Sequence, residues 1–120
     1  MERSCFVSHK GKQIFVLDCR GIDRQQMFEV IDECARVVRQ QPEQSVLTLT
    51  IAGDNTGFDS ETVSRLKELT RGNAPHVKAA AVVGITGLYK VVMSAVSMFS
   101  KRRFYMFDSV EDAKDFLADF

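Results

Sequence analysis

The 120-residue chain is the size of one domain, and its 45% hydrophobic and 27% charged residues exclude a fibrous or disordered polypeptide. Sixteen Lys plus Arg balance sixteen Asp plus Glu, so no global field draws the chain to nucleic acid or to an anionic membrane. Three cysteines without a Cys-x-x-Cys pair, no apolar leader, and no run near the ~20 apolar residues that span a bilayer together predict a cytoplasmic protein, neither secreted nor transmembrane.

Cys5 to His9 and Lys12 to Asp18 are apolar-rich runs around Lys10-Gly11, the spacing of an antiparallel hairpin. Asp23 then caps a helix, with Gln26 closing a capping box and Ile22 and Met27 forming a hydrophobic staple. Met27, Ile31, Cys34, Ala35 and Val38 fall on one stripe of that helix, which stops before Pro42. A strand over Ser45 to Ala52 leads into the polar loop Gly53-Asp54-Asn55-Thr56-Gly57. Asp59 is the predicted cap of the second helix, Phe58 the staple partner of Val63, and Leu66 and Leu69 continue its buried face until Gly72, Asn73 and Pro75 end it.

Val77 to Val83 shows no alternation, which predicts a strand covered on both faces of a parallel sheet. Gly87 to Ser100 reads as a third helix, apolar around most of its circumference, and core packing, a protein interface and a pocket wall are all open for it. Lys101-Arg102-Arg103 at its end complements the exposed carbonyls there. Arg103 to Phe107 is a final strand, and Ser109 caps a last helix with Val110, Ala113, Phe116 and Leu117 on its stripe. The order predicts a single α/β domain over residues 1–120, with a mixed, mostly parallel five-stranded sheet, an antiparallel first strand and about four helices.

The carboxyl ends of parallel strands are the usual ligand edge of such folds, and there the order gathers Asp18, Arg20, Asp54, Asn55, Thr56, Asp59, Ser60, Thr86, Lys90 and Asp108. Helix capping, turns and strand ends explain the same residues without a ligand. Gly84, Thr86, Gly87 and Lys90 could hold an anion at a helix start, against a purely structural glycine turn. The run lacks the spacing of a nucleotide-hydrolysing loop. Two histidines, His9 and His76, form no recognisable triad and no metal spacing, a surface turn accounts for His9, and Cys5, Cys19 and Cys34 are expected to pack as small hydrophobes. The expectations are therefore no catalytic residues, no metal and no cofactor.

Strand, polar loop, Asp-Ser at a helix start, then a buried strand with a glycine turn, resembles the bacterial anti-sigma-factor-antagonist (STAS-type) domains. The chain is more closely similar to their SpoIIAA-like relatives, through HKGK at His9 to Lys12, SVLTLT at Ser45 to Thr50, HVKAAAVVGITGL at His76 to Leu88, and Phe107-Asp108 with Ala113 and Phe116. The resemblance covers almost the whole chain and implies a regulatory, protein-binding module rather than an enzyme. In STAS regulators a serine at the start of the second helix, in a pattern like Asp-Ser-Ser-Gly-Leu, is phosphorylated to switch partner binding. Here Asp59 and Ser60 match, Glu61 stands at the second serine, and the Gly-Leu is absent. The resemblance so implies a partner surface of Asp54, Asn55, Thr56, Asp59, Ser60 and Glu61. A homodimer is an open expectation for the third helix. A carrier of a small apolar or anionic ligand is the alternative function, since SpoIIAA-like domains are sometimes grouped with CRAL-TRIO lipid carriers.

Overall fold

The computed structural model describes residues 4–52, 60–84 and 105–120. β1 (Ser4–His9) and β2 (Lys12–Cys19) form the predicted hairpin, with Ser4 opposite Leu17 and His9 opposite Lys12. Its two-residue turn has φ of 51° at Lys10 and 81° at Gly11, the mirror-image geometry that matches strand twist.

α1 (Arg24–Val38) starts as the sequence predicts: the Asp23 carboxylate accepts from the Gln26 N–H, and the Gln26 side chain accepts from the Asp23 N–H. Ile22 and Met27 are both buried, as a staple requires. β3 (Val46–Ala52) follows, then α2 (Ser60–Asn73), a 3-10 turn (Ala74–His76), β4 (Val77–Val83), β5 (Tyr105–Phe107) and α3 (Val110–Ala118). The Ser109 hydroxyl accepts from the Asp112 N–H and so caps α3.

The sheet order is β1-β2-β3-β4-β5, antiparallel between the first two strands and parallel thereafter. The fold is thus α/β with a mixed, mostly parallel five-stranded sheet, and three α-helices lie among the described residues. Alternation along β2, β3 and β4 gives the sheet two apolar faces. Phe15, Leu17, Cys19, Val46, Val77 and Ala80 meet α1 and α2 on one side. Ile14, Leu47, Leu49, Ile51, Ala79 and Ala81 meet α3 on the other. Ala79, Ala80 and Ala81 are all buried, and their small side chains let backbone layers approach closely.

Three sequence expectations change. α1 buries Phe28 and Val30 as well as its predicted stripe, while Ala35 is half-buried. α2 buries Thr62, Leu69, Thr70 and Asn73, with Val63 and Leu66 only half-buried. Its inward face is rotated from the predicted one because polar groups there are paired: Thr70 donates to the Lys67 carbonyl, and Asn73 bonds Arg39 and Cys34 across to α1. Cys19 and Cys34 are buried as expected, but Cys5 is exposed on β1, since only β2 flanks that edge strand. The predicted helix Gly87–Ser100, the loop at residues 53–57 and the cap at Asp59 lie outside the described residues.

Candidate functional site at the carboxyl edge of the sheet

In the parallel part of the sheet β2 and β3 hand the chain to a helix at the same edge. β2 ends at Cys19 and α1 starts at Arg24; β3 ends at Ala52 and α2 starts at Ser60. The first turns of α1 and α2 therefore converge. Glu61, in the first turn of α2, pairs with the Arg24 guanidinium from α1, and Arg65 Nη2 lies 3.5 Å from Glu61 Oε1. Both guanidiniums also cover the same ring: Arg24 Cζ is 4.6 Å and Arg65 Cζ 4.0 Å from the centroid of Phe28, whose side chain is buried. A guanidinium over an aromatic face gains from the ring quadrupole while keeping its N–H fork for a carboxylate. Ser60 and Glu61 stay exposed on top of this assembly.

Asp18 and Arg20, at the end of β2, pair with each other. Arg20 Nε donates to Asp18 Oδ1 at 2.9 Å and Nη2 to Oδ2 at 2.8 Å, a two-pronged grip that raises the guanidinium's already high proton affinity. Of the predicted anion group only Gly84 is described. Its φ is +86°, and a Cβ there would stand 2.6 Å from the Ala52 carbonyl oxygen, so the glycine is required by the close passage of β3 and β4. Thr86, Gly87 and Lys90, like Asp54, Asn55, Thr56 and Asp59, lie outside the described residues; Asp108 is exposed just past β5.

A second cluster, which sequence reasoning missed, sits at the other end of the molecule. His9 Nε2 is 2.8 Å and Lys10 Nζ 3.0 Å from Asp115 Oδ1, and the Lys12 ammonium donates to the Phe120 carbonyl at 2.6 Å. The hydrogen bond with His9, then that with Lys10, holds the Asp115 carboxyl below the usual carboxylate range. Glu111 brings a further carboxylate, and ligand atoms of His9, Glu111 and Asp115 lie within 4.8 Å of one another. Lys10 already supplies a cation there, so the cluster clasps the hairpin to α3. Only the 106-residue separation of its partners hid it; His9 is no mere surface turn.

An open groove of about 400 Å³, lined by Phe6, Gln13, Gln41, Pro42, Ser45 and Val46, lies at the amino end of the parallel strands, away from the predicted ligand edge. No helix among the described residues is long and apolar enough to cross a membrane. No protein-family model, no curated protein and no solved structure matches the chain.

Proposed function

We propose that this chain is a non-enzymatic regulatory module that binds another protein through the start of α2. The observation that carries the reading is the way Glu61 is held. Two arginines from two helices, both stacked on Phe28, fix the first turn of α2 and leave Ser60 and Glu61 facing water. A charged, exposed helix start whose side chains are already paired needs little side-chain ordering on binding. The resemblance of Asp59-Ser60 to the switch region of STAS-type regulators supports the same location.

The test is capture from a native lysate by the wild-type chain, by Ser60→Arg, and by Lys114→Glu as a control on α3. The reading expects a partner retained by wild type and Lys114→Glu and lost by Ser60→Arg. Identical captures for all three, or none for any, count against it.

A further inference from the structure

The two edges of the sheet are finished differently. β5 has three residues, too few to template another strand, whereas β1 has six, runs opposite β2 without a bulge, and contains neither proline nor lysine. Shortness, bulges, proline and lysine are the devices that usually keep an edge from pairing. The hairpin register fixes which backbone groups β1 offers. Its two-residue turn makes His9 and Lys12 a hydrogen-bonded pair, and alternation along the ladder does the same for Val7 with Ile14 and Cys5 with Val16. The N–H and carbonyl groups of Phe6 and Ser8 therefore point away from β2, and no described strand lies beyond them. Cys5, Phe6 and Ser8 are all exposed, so the edge is open. Phe6 packs on Phe15, with ring centroids 4.9 Å apart, yet stays 40% exposed and lines the 400 Å³ groove with Gln13, Pro42 and Val46.

We propose that β1 pairs antiparallel with β1 of a second copy of this chain, about a two-fold axis at Val7, and that each copy's Phe6 covers the other's groove. In this register Phe6 stands opposite the partner's Ser8, and the two residues exchange both backbone hydrogen bonds. Ser8 faces Gln13 on its inner side, so the partner's Phe6, on the same face of the sheet, arrives beside Ser8 at the groove that Gln13 lines. The aromatic side chain that fills the groove is thus one that β1 itself carries. Charge selects the same arrangement. Ser4 to Ser8 holds no charged side chain, so an identical strand meets no repulsion along the pairing. The cationic Lys10-Gly11-Lys12 turns go to opposite ends: the two copies' Lys10 residues stand ~20 Å apart along the strands, beyond the ~8 Å screening length at physiological salt. Parallel pairing would set those turns side by side. β1 takes no part in the site at the start of α2, so this inference is independent of the partner reading above.

Sedimentation of the full chain over a range of concentrations tests it, on wild type, Ser8→Ala and Ser8→Pro. Proline at position 8 deletes an outward N–H and spares the hairpin's own bonds, as edge strands allow, whereas alanine keeps that N–H. The expected result is a monomer–dimer equilibrium for wild type and Ser8→Ala, and a dimer at least about tenfold weaker for Ser8→Pro. A wild type that stays monomeric at every concentration overturns the proposal. So does a dimer that Ser8→Pro leaves unchanged, since another surface then forms it. Should Ser8→Pro fail to fold, amide hydrogen exchange of the wild type decides. The Phe6 and Ser8 amides should gain protection as concentration rises, more than those of Cys5, Val7 and His9, which β2 already holds. An equal gain, no gain, or a foreign peptide found on this edge instead of a second copy overturns the self-pairing.

Discussion

α1 and α2 lie side by side on one face of the sheet and are held there differently. α1 buries Met27, Phe28, Val30, Ile31, Cys34 and Val38, a continuous apolar stripe begun by a full capping box. α2 buries Leu69 with Thr62, Thr70 and Asn73. Since a fully buried Val, Ile, Met or Phe side chain contributes about 1.5–3 kcal/mol, α1 is anchored by hydrophobic burial and α2 by one leucine plus paired polar groups. The contrast teaches where local opening should start: the helix that carries Ser60 and Glu61 is the one with fewer apolar ties to the core.

Truncation in each helix breaks or sustains this contrast most directly. Ile31→Ala should cost about 2–5 kcal/mol in urea unfolding, whereas Leu66→Ala, removing a half-buried side chain from α2, should cost about 1 kcal/mol. Equal costs would end the distinction. A finer test concerns the seam where the helices meet. A Cβ on Gly72 would stand 2.1 Å from Arg39 Nη2, so Gly72→Ala has to dislodge the guanidinium that donates to Asn73. Alanine gains about 1 kcal/mol over glycine in a helix, but a hydrogen bond from a charged donor is worth roughly 2 kcal/mol. Gly72→Ala should therefore destabilise by about 1 kcal/mol in the wild type and stabilise by about 1 kcal/mol in Arg39→Ala. A double-mutant cycle without that change of sign would show that Arg39 does not tie α1 to α2.

The smallest effect belongs to the opposite face, where α3 is clasped by the hairpin. Asp115 has a lowered folded-state pKa, through His9 first and Lys10 second. A depressed carboxyl stabilises the fold above its unfolded pKa and loses that increment as pH falls through the folded value. The wild type should thus lose slightly more stability than Asp115→Asn between neutral pH and acid below the usual carboxylate range. Parallel pH profiles would mean the exposed clasp contributes nothing measurable, as many surface ion pairs do.

What could be read from the chain was local. The Lys10-Gly11 turn, the Asp23–Gln26 box and the Ser109 cap are spelled within four residues, and the unalternating Val77 to Val83 run announces burial on both faces. The clasp of His9 to Asp115 and the pairing of Arg24 with Glu61 join residues 106 and 37 positions apart, which no local rule reaches. The face of α2 was misread for another reason. Hydropathy sends Thr62, Thr70 and Asn73 outward, yet Thr70 donates to the Lys67 carbonyl and Asn73 bonds both Arg39 and Cys34, and satisfied polar groups can be buried. At the candidate site, Ser60, Glu61 and Gly84 were named from sequence. The arginines that hold Glu61, and the ring beneath them, were not.

Gly84 carries a consequence for the history of this fold. Its left-handed φ and the Ala52 carbonyl oxygen 2.6 Å from where a Cβ would stand exclude any side chain twice over, once by conformation and once by space. Position 84 is therefore closed to drift: any descendant that keeps β3 and β4 in this register keeps glycine there, even as every neighbouring side chain changes. Homologues with intact counterparts of both strands and a bulky residue at that position would contradict it.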